Sequence, residues 1–418
     1  MSKITHISAL EILDSRGRPT VQARCVLAGE SVGEASVPSG ASTGMAEALE
    51  LRDGDLKRFQ GLGCRKAVAH VNQTIRLALV NRAIGDQGEL DSILLELDGT
   101  ANKSHLGANA ILAVSLAFAR AQATEQRVPL YRHFASLLGN TQVALPRPTI
   151  NLFSGGKHAG GQVPIQDVLV VPVAAKTMDD ALAMTYAVYH SAIALTARKY
   201  GSRPLKADEG GLAPPFPDVD TMLSDAVEAI HGAGYTPKRD VALAIDVAAS
   251  HFFHDGRYHI EGQGLDSSGM LALLSGWVAR YPIVSIEDGL AEDDWAAWPR
   301  LLSQTAGKIL VIGDDLLCTN PDRIRHAVQL QAANGLLLKV NQVGTLTEAA
   351  EAWRTARQAS WDVVVSARSG ETEDNWLADL AVGWAGEYIK IGSIMQSERL
   401  AKYNRLLAIE NADAIRFR

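Results

Sequence analysis

PIVSIEDGL, residues Pro282–Leu290, passes from an apolar Ile/Val run into Glu287 and then an acidic glycine turn. A short continuous apolar run of this kind reads as a parallel strand buried on both faces. In a β/α barrel, the C-terminal ends of such strands carry the reactive groups. Working outward, the same arrangement recurs: VALAI precedes Asp246, ILVIG precedes Asp314, GLLL precedes Lys339, DVVVSA precedes Arg368 and EYI precedes Lys390. The tips are spaced by roughly one βα unit, about 20 to 40 residues. As successive barrel strands they would bring three carboxylates and three cations to one mouth. That pattern specifies a metal site facing basic groups, and so an anionic substrate.

Upstream the pattern changes. From Ile4 to about Pro38, apolar and polar residues alternate between Gly, Asp, Ser and Pro punctuation, which predicts an antiparallel meander. From about Gly61, CRKAVAHVNQTIRLALV, ELDSILLELDG and GANAILAVSLAFARAQATEQ carry helical spacing, the last rich enough in alanine to predict a buried helix. Strands followed by helices make an α+β domain. The proline-containing stretch Asn140–Pro148 is the candidate linker, dividing the chain into residues 1–138 and 139–418. Beyond it, PTINLF and QDVLVVPV read as strands, with helices from about Thr177 to Tyr200 and Val219 to Gly232.

The 418 residues leave room for two domains, and 47% apolar with 21% charged residues is ordinary for a soluble globular protein. A net charge of −7 gives no footprint for nucleic acid and disfavours an anionic membrane surface. Cys25, Cys64 and Cys318 have no metal spacing and read as free thiols of a reducing compartment. MSKITHISALEILDSRG lacks the apolar core of a signal peptide, and no run reaches membrane-spanning length, which predicts a cytoplasmic location.

A single acid after a strand is usually a helix cap. Asp246, Glu287 and Asp314 on successive units are harder to dismiss. Three hard oxygen ligands without Cys or His suit Mg²⁺ better than zinc. In the pairs Glu287-Asp288 and Asp314-Asp315 the first acid is the expected ligand, because it still lies on the strand. Lys339 sits inside an apolar strand, where an isolated ammonium is expensive; beside a divalent metal and Lys390 its pKa would fall, making it a candidate base. Lys390 reads as a carboxylate clamp, and Arg368-Ser369-Gly370 suits a phosphate. Glu209 precedes a glycine pair that lets the chain approach a ligand. PSGASTG (Pro38–Gly44) offers Ser42, and SGGKHAGG (Ser154–Gly161) offers Lys157 and His158; taken alone these read as a flexible linker and a solvated loop.

The phrases DSRGRPTV, PSGASTG, EALELRDGD, NKSHLGANAILAVSLA, GGKHA, DEGGLAP, PIVSIEDGL, GDDL, NQVGTLTE, RSGETED and SERLAKYN, in this order, resemble enolase over nearly the whole chain. The resemblance implies an N-terminal α+β lid domain, a modified β/α (TIM-like) barrel and a homodimer or higher homo-oligomer. It implies a Mg²⁺-dependent hydro-lyase acting on a small phosphorylated substrate, 2-phosphoglycerate. Asp246, Glu287 and Asp314 match ligands of one Mg²⁺ and Ser42 a ligand of a second. Lys339 matches the base at C2, Glu209 the acid that assists loss of the C3 hydroxyl, and Lys390 the substrate-carboxylate partner. Arg368 and Ser369 match the phosphate site, and His158 a mobile-loop contact.

The chain departs from the family pattern at four places. Ala367 stands where enolases have histidine, Asp167 where they have glutamate, and Ser154 where they have asparagine before the glycine pair; the tail stops early, at AIRFR. By the resemblance, Ala367 and Asp167 lie near the departing hydroxyl and Glu209. Two outcomes follow: a 2-phosphoglycerate dehydratase with altered surroundings, or a paralogue handling a related phosphorylated or phosphonylated hydroxy acid, such as one forming carboxyphosphonoenolpyruvate. A third class is a non-catalytic protein on the same fold.

Overall fold

The computed structural model describes residues 2–41, 44–201, 205–305 and 308–417. The expected meander is present as β1 (Ser2–Leu13), β2 (Pro19–Leu27) and β3 (Val32–Ser36), all antiparallel, with β4 (Ala83–Ile84) on the far edge of β1. Helices Gln87–Asp98, Ala108–Gln126 and Leu130–Leu137 follow. The alanine-rich Ala108–Gln126 is buried on nearly every side, as its small residues allow. Gly33 shows why: a Cβ there would lie 2.0 Å from the Ala117 carbonyl oxygen, so only glycine lets β3 come this close to the helix.

The second half closes into a barrel. Its strands are β5 (Arg147–Ser154), β6 (Asp167–Val171), β9 (Ala242–Asp246), β13 (Ile283–Glu287), β14 (Leu310–Gly313), β15 (Gly335–Leu338), β16 (Asp362–Ser366) and β17 (Tyr388–Lys390). They are neighbours in that order, and β17 pairs with β5 to complete the ring. The short pair β7 (Leu205–Lys206) and β8 (Leu212–Ala213) extends from β5, and β10 (Phe253–His254), β11 (Arg257–Ile260) and β12 (Gln263–Leu265) form a separate meander. Helices Met178–Tyr200 and Val219–Gly232 fall where the apolar period predicts them, each opened by a side-chain cap from Thr177 and Asp218. Among the described residues no helix is long and apolar enough to cross a membrane.

One strand breaks the parallel pattern. β6 runs antiparallel to both β5 and β9, because only residues 155–166 join it to β5 and no crossover helix intervenes. Its first residue, Asp167, therefore reaches the mouth that other strands reach with their last. Below the mouth, Leu169, Val171, Ala242 and Ala244 form one apolar layer and Ile312, Leu337 and Val364 another, with Tyr388 packed against both. The floor is thus a packed core, and the polar chemistry is confined to the top.

Candidate active site

Five of the six strand-end groups meet one another as charge pairs. Asp246 and Glu287, adjacent in register, both hold the Lys390 ammonium: Nζ lies 2.8 Å from Asp246 Oδ2 and 2.9 and 2.8 Å from the two Glu287 oxygens. Gln166 Nε2 also donates to Asp246 Oδ2 at 2.9 Å. Next door, the Lys339 ammonium pairs with Asp314 Oδ2, while Gln342 Nε2 donates to Asp314 Oδ1 at 2.9 Å. Burial opposes the charge on Lys390, yet Asp246 and Glu287 outweigh it and hold the ammonium well above its ordinary pKa. Burial, then the charge of Asp246, push Glu287 well up.

Burial opposes the charge on Lys339, but Asp314 together with Glu287 outweighs burial and the repulsion of Arg368 and Lys390, so its pKa is raised. A basic role requires Asp314 to hold that ammonium less strongly.

Two tight polar clusters stand out among the described residues, each with its ligand atoms within 4.8 Å of one another: Asp288, Asp314 and Asp315, and His158, Asp167 and Glu209. In the first, Asp288 is committed elsewhere. Its two oxygens accept the backbone N–H groups of Asp314 and Asp315, at 2.9 and 2.7 Å, and so fix the turn after β14. The oxygens of Asp246, Glu287 and Asp314 point instead at lysine ammoniums. The all-oxygen donor set and its convergence on cationic nitrogen fit a hard divalent ion.

The second cluster lies at the β5–β6 side. Asp167 Oδ1 accepts from Ser154 Oγ at 2.5 Å and Oδ2 faces His158 Nδ1 at 3.1 Å; His158 Nε2 lies 4.0 Å from Glu209 Oε1, and Asn151 Nδ2 donates to Glu209 Oε2 at 3.1 Å. His158 is therefore no solvated loop residue; it is buried. Burial opposes its protonation, but Asp167 and Glu209 raise its pKa to about 9. Burial raises Asp167, whereas at Glu209 burial is outweighed by His158 and Arg399 and the carboxyl is held below its ordinary range.

Arg368 and Ser369 are both tied to the first domain. Arg368 Nη1 lies 3.1 Å from Glu47 Oε2 and donates to Asn341 Oδ1 at 3.0 Å. Ser369 Oγ accepts from Arg16 Nη1 at 3.0 Å, and Arg399 donates to the backbone oxygens of Arg368 and Ser369 at 2.6 Å each. Ser39 and Gly370 exchange two backbone hydrogen bonds of 2.8 and 2.9 Å. Ser42 lies outside the described residues. Ala367 is buried in the apolar cluster, its N–H donating to the Lys390 carbonyl at 2.8 Å.

Sequence reasoning missed Glu47, Asn151, Gln166, Gln342 and Arg399. Gln166 adjoins Asp167, while Gln342 and Arg399 lie inside the quoted phrases NQVGTLTE and SERLAKYN, so their neighbourhood was the available signal. Glu47 likewise opens the quoted phrase EALELRDGD, whereas Asn151 carries no such mark.

The fold and mouth define a class: a β/α barrel protein whose charged mouth is closed by a preceding α+β domain. Residues 4–134 match the enolase N-terminal domain and residues 142–416 the enolase C-terminal TIM barrel domain. The chain belongs to the enolase family.

Proposed function

We propose that this protein is a Mg²⁺-dependent hydro-lyase that dehydrates 2-phosphoglycerate to phosphoenolpyruvate. The observation that carries this reading is the pairing of each strand-end acid with a lysine ammonium, which leaves oxygen donors and two lysines around one mouth. Asp246, Glu287 and Asp314 would hold one ion and Ser42 would contribute to a second. When bound, magnesium supplies electrostatic stabilisation of the enolate that forms as C2 loses its proton. A Lys or His base beside Mg²⁺ is the general pattern of enolase-superfamily sites, so the pairing is a property of the superfamily rather than particular to this chain.

With Asp314 as a metal ligand, its charge would be shared with the ion and would hold the ammonium less strongly; Lys339, with Arg368 and Lys390 repelling its charge, would then be able to take the C2 proton. Lys390 faces the substrate carboxylate. Arg368 and Ser369 face the phosphate, for which Arg368 has to exchange its Glu47 partner. Glu209 assists departure of the C3 hydroxyl, with the His158 ring beside it and Asp167 holding that ring from the other side. The active assembly is a homodimer or higher homo-oligomer.

A second reading is favoured by one observation: Asp167, Ser154 and Ala367 all depart from the enolase pattern, and the first two are hydrogen-bonded to each other beside Glu209. On that reading the metal and base side is kept and the leaving-group side serves a related phosphorylated or phosphonylated hydroxy acid, as in carboxyphosphonoenolpyruvate formation. The test is Mg²⁺-dependent formation of phosphoenolpyruvate from 2-phosphoglycerate, followed by absorbance, with Lys339→Ala as the control. Turnover at an ordinary enzymatic rate, lost by about 10²–10⁴-fold in the control, supports dehydration of 2-phosphoglycerate. Absent turnover with intact Mg²⁺ binding supports the second reading, and Asp167→Glu with Ser154→Asn and Ala367→His should then restore activity.

A further inference from the structure

β5 contains a bulge. Asn151 pairs with Leu169 and Phe153 with Val168, so Leu152 is an extra residue with no partner across the ladder. In a regular strand, residues three apart face opposite sides. Here the bulge brings Asn151 and Ser154 to the same side: Asn151 reaches Glu209, and Ser154, paired in register with Asp167, reaches the Asp167 carboxyl. Bulges beside active sites re-aim side chains in this way.

We infer that Ser154 is a positioning residue whose hydroxyl fixes the Asp167 carboxylate and, through it, turns the His158 ring toward Glu209. The geometry is closed on every side. Ser154, Asn151 and Asp167 are all 0% exposed. One Asp167 oxygen takes the serine hydroxyl and the other takes His158 Nδ1, which leaves His158 Nε2 facing Glu209. Gly211 backs the hydroxyl, since a Cβ at that position would lie 2.2 Å from Ser154 Oγ. An aspartate is one methylene shorter than a glutamate, so its carboxylate stays close to its own strand; a short hydroxyl on the facing residue is the group of the right length to hold it. Ser154 and Asp167 therefore act as a matched pair, and neither change is neutral without the other. Only the consequence for rate rests on the proposed dehydration.

The experiment uses the full chain with ¹⁵N-labelled histidine. Ser154→Ala, checked for folding by its melting temperature, should shift the His158 ring resonances, assigned with His158→Gln, and leave distant histidines in place. In turnover of 2-phosphoglycerate it should lower kcat by about a hundredfold with KM little changed, as expected for a misplaced reacting group. Ser154→Asn with Asp167→Glu should recover more than the two single changes predict by addition. A folded Ser154→Ala protein with unmoved His158 resonances overturns the inference. A wild-type protein inert toward 2-phosphoglycerate counts against the proposed substrate alone, because the His158 resonances still decide the role of Ser154.

Discussion

Glu47 Oε2 lies 3.1 Å from Arg368 Nη1, a buried ion pair that joins the first domain to the barrel rim. Removing one partner of such a pair strands the other in a low-dielectric site, at a cost of about 3–5 kcal/mol. Glu47→Gln should lower the urea midpoint accordingly. Because the Glu47 charge then no longer competes with an anion for the guanidinium, inorganic phosphate should restore part of the lost stability, and more than it adds to the wild type. Equal phosphate stabilisation of both proteins would show that Arg368 is not the anion partner.

Asp246 and Glu287 share one ammonium, so they form a cation-binding pair before any metal is considered. Mg²⁺ at about a hundred times its dissociation constant should stabilise the wild type by about 2.7 kcal/mol. Glu287→Gln should abolish most of that gain while keeping the side chain's shape, measured as the thermal midpoint with and without Mg²⁺. An unchanged Mg²⁺ response in this variant would move the metal elsewhere, with Asp288, Asp314 and Asp315 the next candidates.

His133 gives a pH prediction away from the site. Burial lowers its pKa from 6.5 to about 4, and its Nε2 has no hydrogen-bond partner among the described residues. The unfolded chain therefore binds a proton that the fold resists. Stability should be full above pH 6.5 and decline as pH falls from there through about 4. That interval corresponds to about 3 kcal/mol. His133→Gln should flatten this part of the pH–stability curve; a curve as steep as the wild type's would assign the acid loss to other groups.

Gly33→Ala should destabilise the first domain. The added methyl meets the backbone of helix Ala108–Gln126, which cannot move aside as a side-chain tip can. Overpacking of this kind costs about 1–3 kcal/mol. Hydrogen exchange should report the loss in β3 and in that helix first, while an unaffected exchange pattern would mean that the two separate easily.

The barrel was legible because strands buried on both faces carry unbroken apolar runs, and each run stops where a charge must face the mouth. That logic located Asp246, Glu287, Asp314, Lys339, Arg368 and Lys390 on neighbouring strands. It could not reveal the direction of β6, since QDVLVVPV reads the same either way and the reversal comes from the lack of a crossover helix. Nor could it find Glu47, whose place depends on how the two halves dock. The pairing of Lys339 with Asp314 was hidden for a related reason: the sequence names the charges near one another, but only geometry tells which carboxylate each ammonium takes.

The two hydrogen bonds between Ser39 and Gly370 make the loop after β16 a strand partner of the first domain as well as a part of the barrel rim. The ligand-facing surface is consequently a product of docking, completed only after both halves have folded. A barrel released from its leading segment would lose the two hydrogen bonds that hold this loop, and with them part of the shape of its mouth.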